Sequence, residues 1–338
     1  MNFKRIIISR TDSIGDVILT LPLAGILKKN YPNAYILFLG SAYTKDVIEC
    51  CEFIDEFIDW TAISKLPEKE AITAINLLNA DTILHVFPRK EIAIIAKKVK
   101  ILNRIGTTNR TFHWFNCNKL VRLSRKNSDL HESQLNIKLL KPFKVKTDYN
   151  LSQIAFFYGL DKIQILPEKF KALLDKEKFN LILHPKSKGS AREWGLENFA
   201  SLIELLPVDK YNIFISGTSE EAALMQSEIT DKYDNIIDLT GKLTLTEFIA
   251  FIAQADGLIA ASTGPLHIAA ALGKVALGIY PPIRPMHPGR WMPVGKYAHY
   301  FVNKKTCIDC RKTMDCHCMK SISPEEISEY LEKNCRKL

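Results

Sequence analysis

Nowhere in the 338 residues does an uninterrupted apolar run approach the roughly 18–20 needed to cross a bilayer. That absence sets aside a protein anchored by membrane-spanning helices. The start, MNFKRIIISR, lacks a secretory-signal pattern and passes directly into a strand-like run. Both absences lead to the expectation of a cytoplasmic protein, with attachment to a membrane surface left open. Acidic residues are nearly missing from one stretch: between Arg89 and Lys126, eleven basic residues meet a single acid, Glu91. Residues 1–165 carry 24 Lys+Arg against 16 Asp+Glu, whereas 166–338 carry 22 against 21, so the net charge of +9 sits almost wholly in the first half. Such a local field suits nucleic acid, an anionic lipid surface or a phosphorylated substrate, and equally describes a solvated basic face. No convincing internal repeat is present.

What remains is the composition of a soluble globular chain, 47% hydrophobic and 25% charged. The length suggests two domains at about 150 residues each, and a polar, weakly periodic stretch near 143–178 puts their boundary near residue 165. The β-branched run Arg5–Ser9 reads as a buried first strand. It enters Arg10-Thr11-Asp12-Ser13-Ile14-Gly15-Asp16, and helical spacing follows over Val17–Lys29. Asp16 falls at a helix start, where the dipole favours a carboxylate. That suits it to take a proton from a hydroxyl, although N-capping explains either Asp equally well. Further strand-like runs at Tyr35–Leu39, Thr82–Phe87 and Lys100–Ile105 alternate with helical patterns at Ser41–Cys51, Glu68–Asn79 and Glu91–Val99, as in an α/β domain with a mostly parallel sheet. Thr107 to Lys126 reads as a loop mixing basic residues with Phe112, His113, Trp114 and Phe115, suited to an amphiphilic acceptor or to single-stranded nucleic acid.

A second alternating series begins at the strand Asn180–His184. Its following loop offers Lys186, Ser187, Lys188, Ser190 and Arg192, many donors at a strand's carboxyl end. The strand Tyr211–Ser216 runs into Glu220 and Glu221, which suit ribose hydroxyls or simply a helix's acidic first turn. Thr244 and Glu247 form a capping box. The strand Gly257–Ala261 leads through Ser262-Thr263-Gly264-Pro265 into a short helix ending near Gly273, and then to the strand Val275–Tyr280. A βαβ turn of this kind aims N–H groups and a helix N-terminus at an anion; a ligand-free crossover is the competing reading. In the tail, Cys307, Cys310, Cys316 and Cys318 with His317 form a candidate structural zinc site, although the Cys316-x-Cys318 spacing is unusual and reduced thiols packed in a turn account for it as well. Ser323-Pro324-Glu325-Glu326 opens a terminal helix reaching about Lys333.

Together these segments resemble glycosyltransferase family 9, the bacterial heptosyltransferases. The likeness rests on Arg10-x-Asp12-x-Ile14-Gly15-Asp16-x3-Thr20-x-Pro22, on His184-Pro185 with Arg192-x-Trp194, and on Ser262-Thr263-Gly264-Pro265-Leu266-His267-x-Ala269-Ala270-x-Leu272-Gly273. The resemblance implies a GT-B fold, two Rossmann-like domains with the active site in the cleft between them. Residues 1–165 would bind the acceptor, and 166–338 the nucleotide sugar, ending in the Cys-rich tail and C-terminal helix. It implies inverting, metal-independent transfer of heptose from ADP-heptose to the lipopolysaccharide inner core, with Asp16 as general base. Donor contacts would fall to Ser187, Lys188, Arg192, Glu220, Glu221, Ser262, Thr263, Gly264 and His267. Acceptor contacts would fall to Arg10, Asp12, Arg89, Arg110 and Trp114. The partners implied are the nucleotide sugar, a phosphorylated glycolipid and the cytoplasmic face of the inner membrane, without nucleic acid. One departure stands out: the family usually has Asp where this chain has Ser262, which leaves another nucleotide sugar open as donor.

Overall fold

The computed structural model describes residues 3–126, 128–303 and 315–334. Its backbone divides into two compact units, Met1–Lys162 and Ile163–Leu338. Among the described residues each unit holds one six-stranded, wholly parallel sheet.

In the first unit the strands are β1 (Arg5–Ser9), β2 (Tyr35–Gly40), β3 (Glu56–Asp59), β4 (Thr82–His85), β5 (Asn103–Thr107) and β6 (Lys119–Val121). They lie in the order β3-β2-β1-β4-β5-β6. In the second unit, β7 (Phe179–His184), β8 (Tyr211–Ile215), β9 (Ile236–Asp238), β10 (Gly257–Ala261), β11 (Val275–Tyr280) and β12 (Ala298–Val302) lie in the order β12-β11-β10-β7-β8-β9. Counted from its own first strand, the second sheet repeats the order of the first. In each, the chain starts centrally, winds outward to one edge, and returns to wind the other way. The winding reverses between β1 and β4 and again between β7 and β10, and ligands of open α/β sheets bind beyond the strand ends at such a reversal.

The central strands are apolar on both faces because helices cover both. Ile7, Leu37, Leu39, Ile83 and Ile92 share one buried cluster in the first unit. Leu181, Leu183, Ile213, Ile259 and Leu277 do so in the second, joined by Trp194, Phe199, Met319 and Ile327. Trp194 is wholly buried and donates its indole N–H to Ile322 O (2.8 Å), so the loop after β7 is nailed to the tail. Cys316 and Cys318 are buried in this cluster, in the core rather than in a surface turn.

Several elements differ from the sequence expectations. The helix expected over Val17–Lys29 is two, Ile14–Ile18 and Pro22–Asn30, because Pro22 has no N–H with which to continue the first. The expected loop at Thr107–Lys126 contains the helix Thr111–Asn116 and the edge strand β6. The strand expected from Lys100 begins at Asn103, since Lys100 takes a left-handed backbone (φ 58°) that ends the preceding helix. No helix among the described residues is long and apolar enough to cross a membrane.

Candidate active site

The first half-site lies at the β1/β4 reversal. β1 ends at Ser9, and Arg10 turns inward, only 3% exposed. A guanidinium so far from water requires counter-charge, and three carboxylates supply it. Nε donates to Asp12 Oδ1 (2.6 Å), Nη2 to Asp16 Oδ1, and Nη1 to Glu132 Oε1 (3.3 Å). Burial opposes the charge on Arg10, but Asp16, Asp12 and Glu132 together hold its pKa above the ordinary value. Asp16 stands in the first turn of the helix Ile14–Ile18. Its other oxygen accepts from Ser13 Oγ (2.6 Å), and its side chain keeps 18% exposure. Asp12 is pushed up to about 6, chiefly by burial and further by the charge of Asp16, against the pull of Arg10.

Across the reversal, Arg89 donates Nε to Thr11 Oγ1 and lies over the Phe87 ring (5.3 Å to its centre). Arg10, Asp12, Asp16 and Arg89 are thus brought together. Arg10 departs from the expected acceptor contact, because its nitrogens are turned onto carboxylates inside the unit. Arg110 and Trp114 sit one strand further along, beyond β5, where Trp114 donates its indole N–H to Thr108 O (2.8 Å) and is mostly exposed.

The second half-site lies at the β7/β10 reversal. The loop after β7 is tied internally by Glu193, which accepts from Lys186 Nζ, from Ser187 N (3.1 Å) and from Ser187 Oγ (3.1 Å). Lys188 and Gly189 are both left-handed (φ 47° and 77°). A lysine held there is strained unless its surroundings fix it. Glu221 fixes it: Oε1 accepts from Lys188 N (3.1 Å) while Oε2 accepts from Thr218 N (2.9 Å) as the far half of a capping box. Glu221 is only 5% exposed, so its oxygens hold the loops together and are not offered to a ribose. Glu220 is the outward carboxylate, paired with Lys188 Nζ (3.1 Å) and lowered to about 2 by hydrogen bonds from Thr218 and Lys188. Arg192 is buried in the same loop.

On the other side of the reversal, Thr263 caps the helix Gly264–Ala271. Its backbone N–H turns back to Ala261 O (2.7 Å), which corrects the expectation of a donor there. Its hydroxyl is buried with no partner among the described residues, and Gly264 opens the helix, whose first N–H groups have no partner within it. Ser262 is half-buried beside them, and His267 is buried one turn on. Beneath, His184 Nδ1 meets Ser216 Oγ (3.0 Å), and burial lowers its pKa to about 4. A cavity of about 420 Å³ opens on the Lys186–Glu193 loop and is lined also by Glu197, Glu228 and Lys320. It touches Ser187 but none of Arg192, Glu220, Thr263 or Gly264.

Cys307 and Cys310 lie outside the described residues. Among those described, no group of three or more His, Cys, Asp or Glu is arranged to hold a metal ion. Sequence reasoning missed Glu132, Arg125, Asn136 and Glu193. None of these had a signal in the sequence: Glu132 and Asn136 stand four apart on a helix, Glu132–Ile137, where nearly every residue is buried once the chain folds. Polar groups on such a helix must face polar partners.

Two parallel Rossmann-like sheets, each with charged loops at its reversal, make an α/β fold of GT-B type. The profile of glycosyltransferase family 9 (heptosyltransferase) matches residues 76–319, and the chain belongs to that family and is a glycosyltransferase. It is 26% identical over 302 residues to a Haemophilus influenzae protein named only as a glycosyltransferase, covering 86% of each chain. To the lipopolysaccharide core heptosyltransferase OpsX of the same organism it is 19% identical over 299 residues, covering 82% of this chain and 79% of that one. Its fold matches Escherichia coli heptosyltransferase WaaC with ADP at a TM-score of 0.73 and 14% identity, over 98% of this chain and 100% of the other.

Proposed function

We propose that this protein transfers heptose from ADP-heptose to a lipopolysaccharide inner-core or related glycolipid acceptor, with inversion and with Asp16 as general base. The observation that carries this reading is the Asp16 carboxylate at the β1/β4 reversal, held by Arg10 and Ser13 yet still reached by solvent. The acceptor hydroxyl gives its proton to Asp16 as its oxygen bonds to the anomeric carbon. The bond from that carbon to the diphosphate oxygen breaks on the opposite face, and its electron pair leaves with ADP. Attack opposite to departure inverts the centre.

The second unit holds the donor. Arg192 and Lys188 answer the negative charge that grows on the diphosphate, as fixed cations do best where water is excluded. The helix opening at Gly264 adds its N–H groups and positive dipole end. The unpartnered Thr263 hydroxyl supports a ligand at this point, because a buried hydroxyl left alone costs about 1–3 kcal/mol. Glu220 is left for the ribose. The likeness in fold to WaaC, a heptosyltransferase solved with ADP, supports adenine as the base. Ser262 favours a second donor: without the family's carboxylate, the sugar pocket loses a charged acceptor for sugar hydroxyls, and a different nucleotide sugar becomes admissible.

In the same reading the first unit rests on the anionic surface where its acceptor is embedded. Phe115 (72% exposed), Leu102 (69%), Trp114 and Leu120 are exposed on the segments flanking β5 and on the edge strand β6, amid the basic residues of 89–126. Aromatic side chains ringed by cations suit a headgroup layer.

Thermal-shift screening against ADP-heptose, UDP-glucose and other nucleotide sugars tests the donor. ADP-heptose should raise the melting temperature by mass action, and transfer to a heptose-deficient inner-core acceptor should follow. A shift with another nucleotide sugar alone would move the assignment to the second donor.

A further inference from the structure

Asp16 is gripped from both ends by one closed circuit of polar contacts. From its carboxylate the circuit passes to Arg10, and from Arg10 Nη1 to Glu132 Oε1 (3.3 Å). The same Glu132 oxygen accepts from Arg125 Nε (2.9 Å), and Arg125 Nη2 reaches Asn136 Oδ1 (2.9 Å). Asn136 Nδ2 donates to Leu19 O (3.2 Å) and Thr20 Oγ1 (3.3 Å), and the Thr20 hydroxyl donates to Asp16 O (2.8 Å). Glu132 is 1% exposed, and Asn136 and Thr20 are fully buried.

We infer that Glu132 is a positioning residue for sugar transfer: through Arg10 it sets the orientation of the Asp16 carboxylate, an inference that rests on the proposed role of Asp16 as base. Glu132 is the most buried of the three carboxylates around Arg10, with side-chain exposure of 1% against 22% for Asp12 and 18% for Asp16. Its bond to Arg10 is the longest of the three (3.3 Å), but the same Glu132 oxygen is also held by Arg125 Nε at 2.9 Å, a charge-assisted bond that fixes it independently of Arg10. Glu132 is therefore the fixed anchor, and it draws one arm of the fork inward. With that arm held, Nη2 reaches Asp16 and Nε reaches Asp12, since the guanidinium is planar and its nitrogens cannot move separately. Without Glu132 the fork is free to rotate toward Asp12, and Asp16 loses the partner that fixes its Oδ1. Arg125 and Asn136 carry the constraint back to the Asp16 backbone, so that helix and side chain are set together. Neither Glu132 nor Arg125 has a part in holding the donor, which belongs to the second unit.

The test compares Glu132→Gln and Glu132→Ala with Asp16→Asn and the double variant Asp16→Asn/Glu132→Gln. Each is assayed for transfer from ADP-heptose to an inner-core acceptor, and for ADP binding by calorimetry. Misplacing a reacting group by about 1 Å costs on the order of 100-fold. Glu132→Ala should therefore lower kcat about 100-fold, with donor KM and the ADP Kd within about twofold of the native values. Glu132→Gln, which keeps an acceptor oxygen, should retain more of the rate. The double variant should be no slower than Asp16→Asn alone, because both act through one group. If Glu132→Ala unfolds, the Gln variant and the double variant carry the test. Native-like kcat in the Glu132 variants, or a multiplicative loss in the double variant, overturns the inference while leaving Asp16 as base. Native-like turnover in Asp16→Asn overturns the base assignment itself.

Discussion

Replacing Glu221 by Gln separates two duties that one carboxylate performs. In the structure Oε2 takes the Thr218 N–H and Oε1 the Lys188 N–H. Gln serves as well as Glu at the third position of a capping box, so its single carbonyl oxygen keeps the Thr218 bond. Its amide nitrogen then faces the Lys188 N–H, donor against donor. Lys188 loses the contact that holds its left-handed backbone (φ 47°). The Lys188 N–H is only partly buried, but its partner is charged, so losing that bond costs about 1–3 kcal/mol, and about 1.4 kcal/mol is tenfold in an equilibrium constant. The loop would open rather than bear that cost, and the donor-ready arrangement of Lys188 and Arg192 would be populated less. The ADP Kd should therefore weaken about 5- to 100-fold, with the melting temperature of the free protein little changed. Calorimetry with ADP, or with whichever nucleoside diphosphate the native protein binds, measures the first; a melting scan measures the second. An unchanged Kd would refute the tether. A large drop in melting temperature would refute the claim that Gln preserves the cap.

Three further outcomes follow from the geometry. Arg192→Ala should weaken nucleoside diphosphate binding about 10- to 100-fold, the scale of a charge-assisted hydrogen bond; an unchanged calorimetric Kd would remove Arg192 from the site. Burial, helped by the neighbouring His113 and Arg104, lowers His85 to about 3, and neither ring nitrogen has a hydrogen-bond partner among the described residues. The unfolded chain therefore takes up that proton first, so this contribution to stability is full above about pH 6.5 and is lost as pH falls toward 3. Between pH 7.5 and 4.5 the loss is on the order of 2–3 kcal/mol. His85→Phe should remove that part of the acid slope in urea melts, and an identical slope would contradict it. Phe115→Glu should reduce co-sedimentation with anionic phospholipid vesicles while leaving ADP binding intact; undiminished vesicle binding would locate the lipid contact elsewhere.

The centre of each sheet was legible in the sequence and the edges were not. Arg5–Ser9, Gly257–Ala261 and Val275–Tyr280 are buried between helix layers and read as unbroken apolar runs. The edge strands β3, β6, β9 and β12 are short or mixed, and Lys119–Val121 and Ile236–Asp238 have three residues each. A run that short carries no period. The helix Thr111–Asn116 was hidden because Trp114 and Phe115 face solvent, against the usual amphipathic order. The site shows the same division. Residues between a strand and the helix after it, or in that helix's first turn, such as Asp16, Arg192 and Thr263, are marked by their place in the alternation. Glu132 acts on Arg10 across 122 positions of sequence, and only the folded chain brings them together. The division of labour between Glu220 and Glu221 was illegible for a related reason: adjacent residues on a helix start point in different directions, which depends on where the cap falls.

The central claim is that Asp16 takes the acceptor proton while the second unit holds the donor independently. Asp16→Asn keeps the size of the side chain and removes its basicity, and a positioned general base is worth about 100- to 10,000-fold. Transfer from ADP-heptose should fall by that factor, with the ADP-heptose Kd within about twofold of native. Turnover close to native in Asp16→Asn, with the donor still bound, would contradict the account.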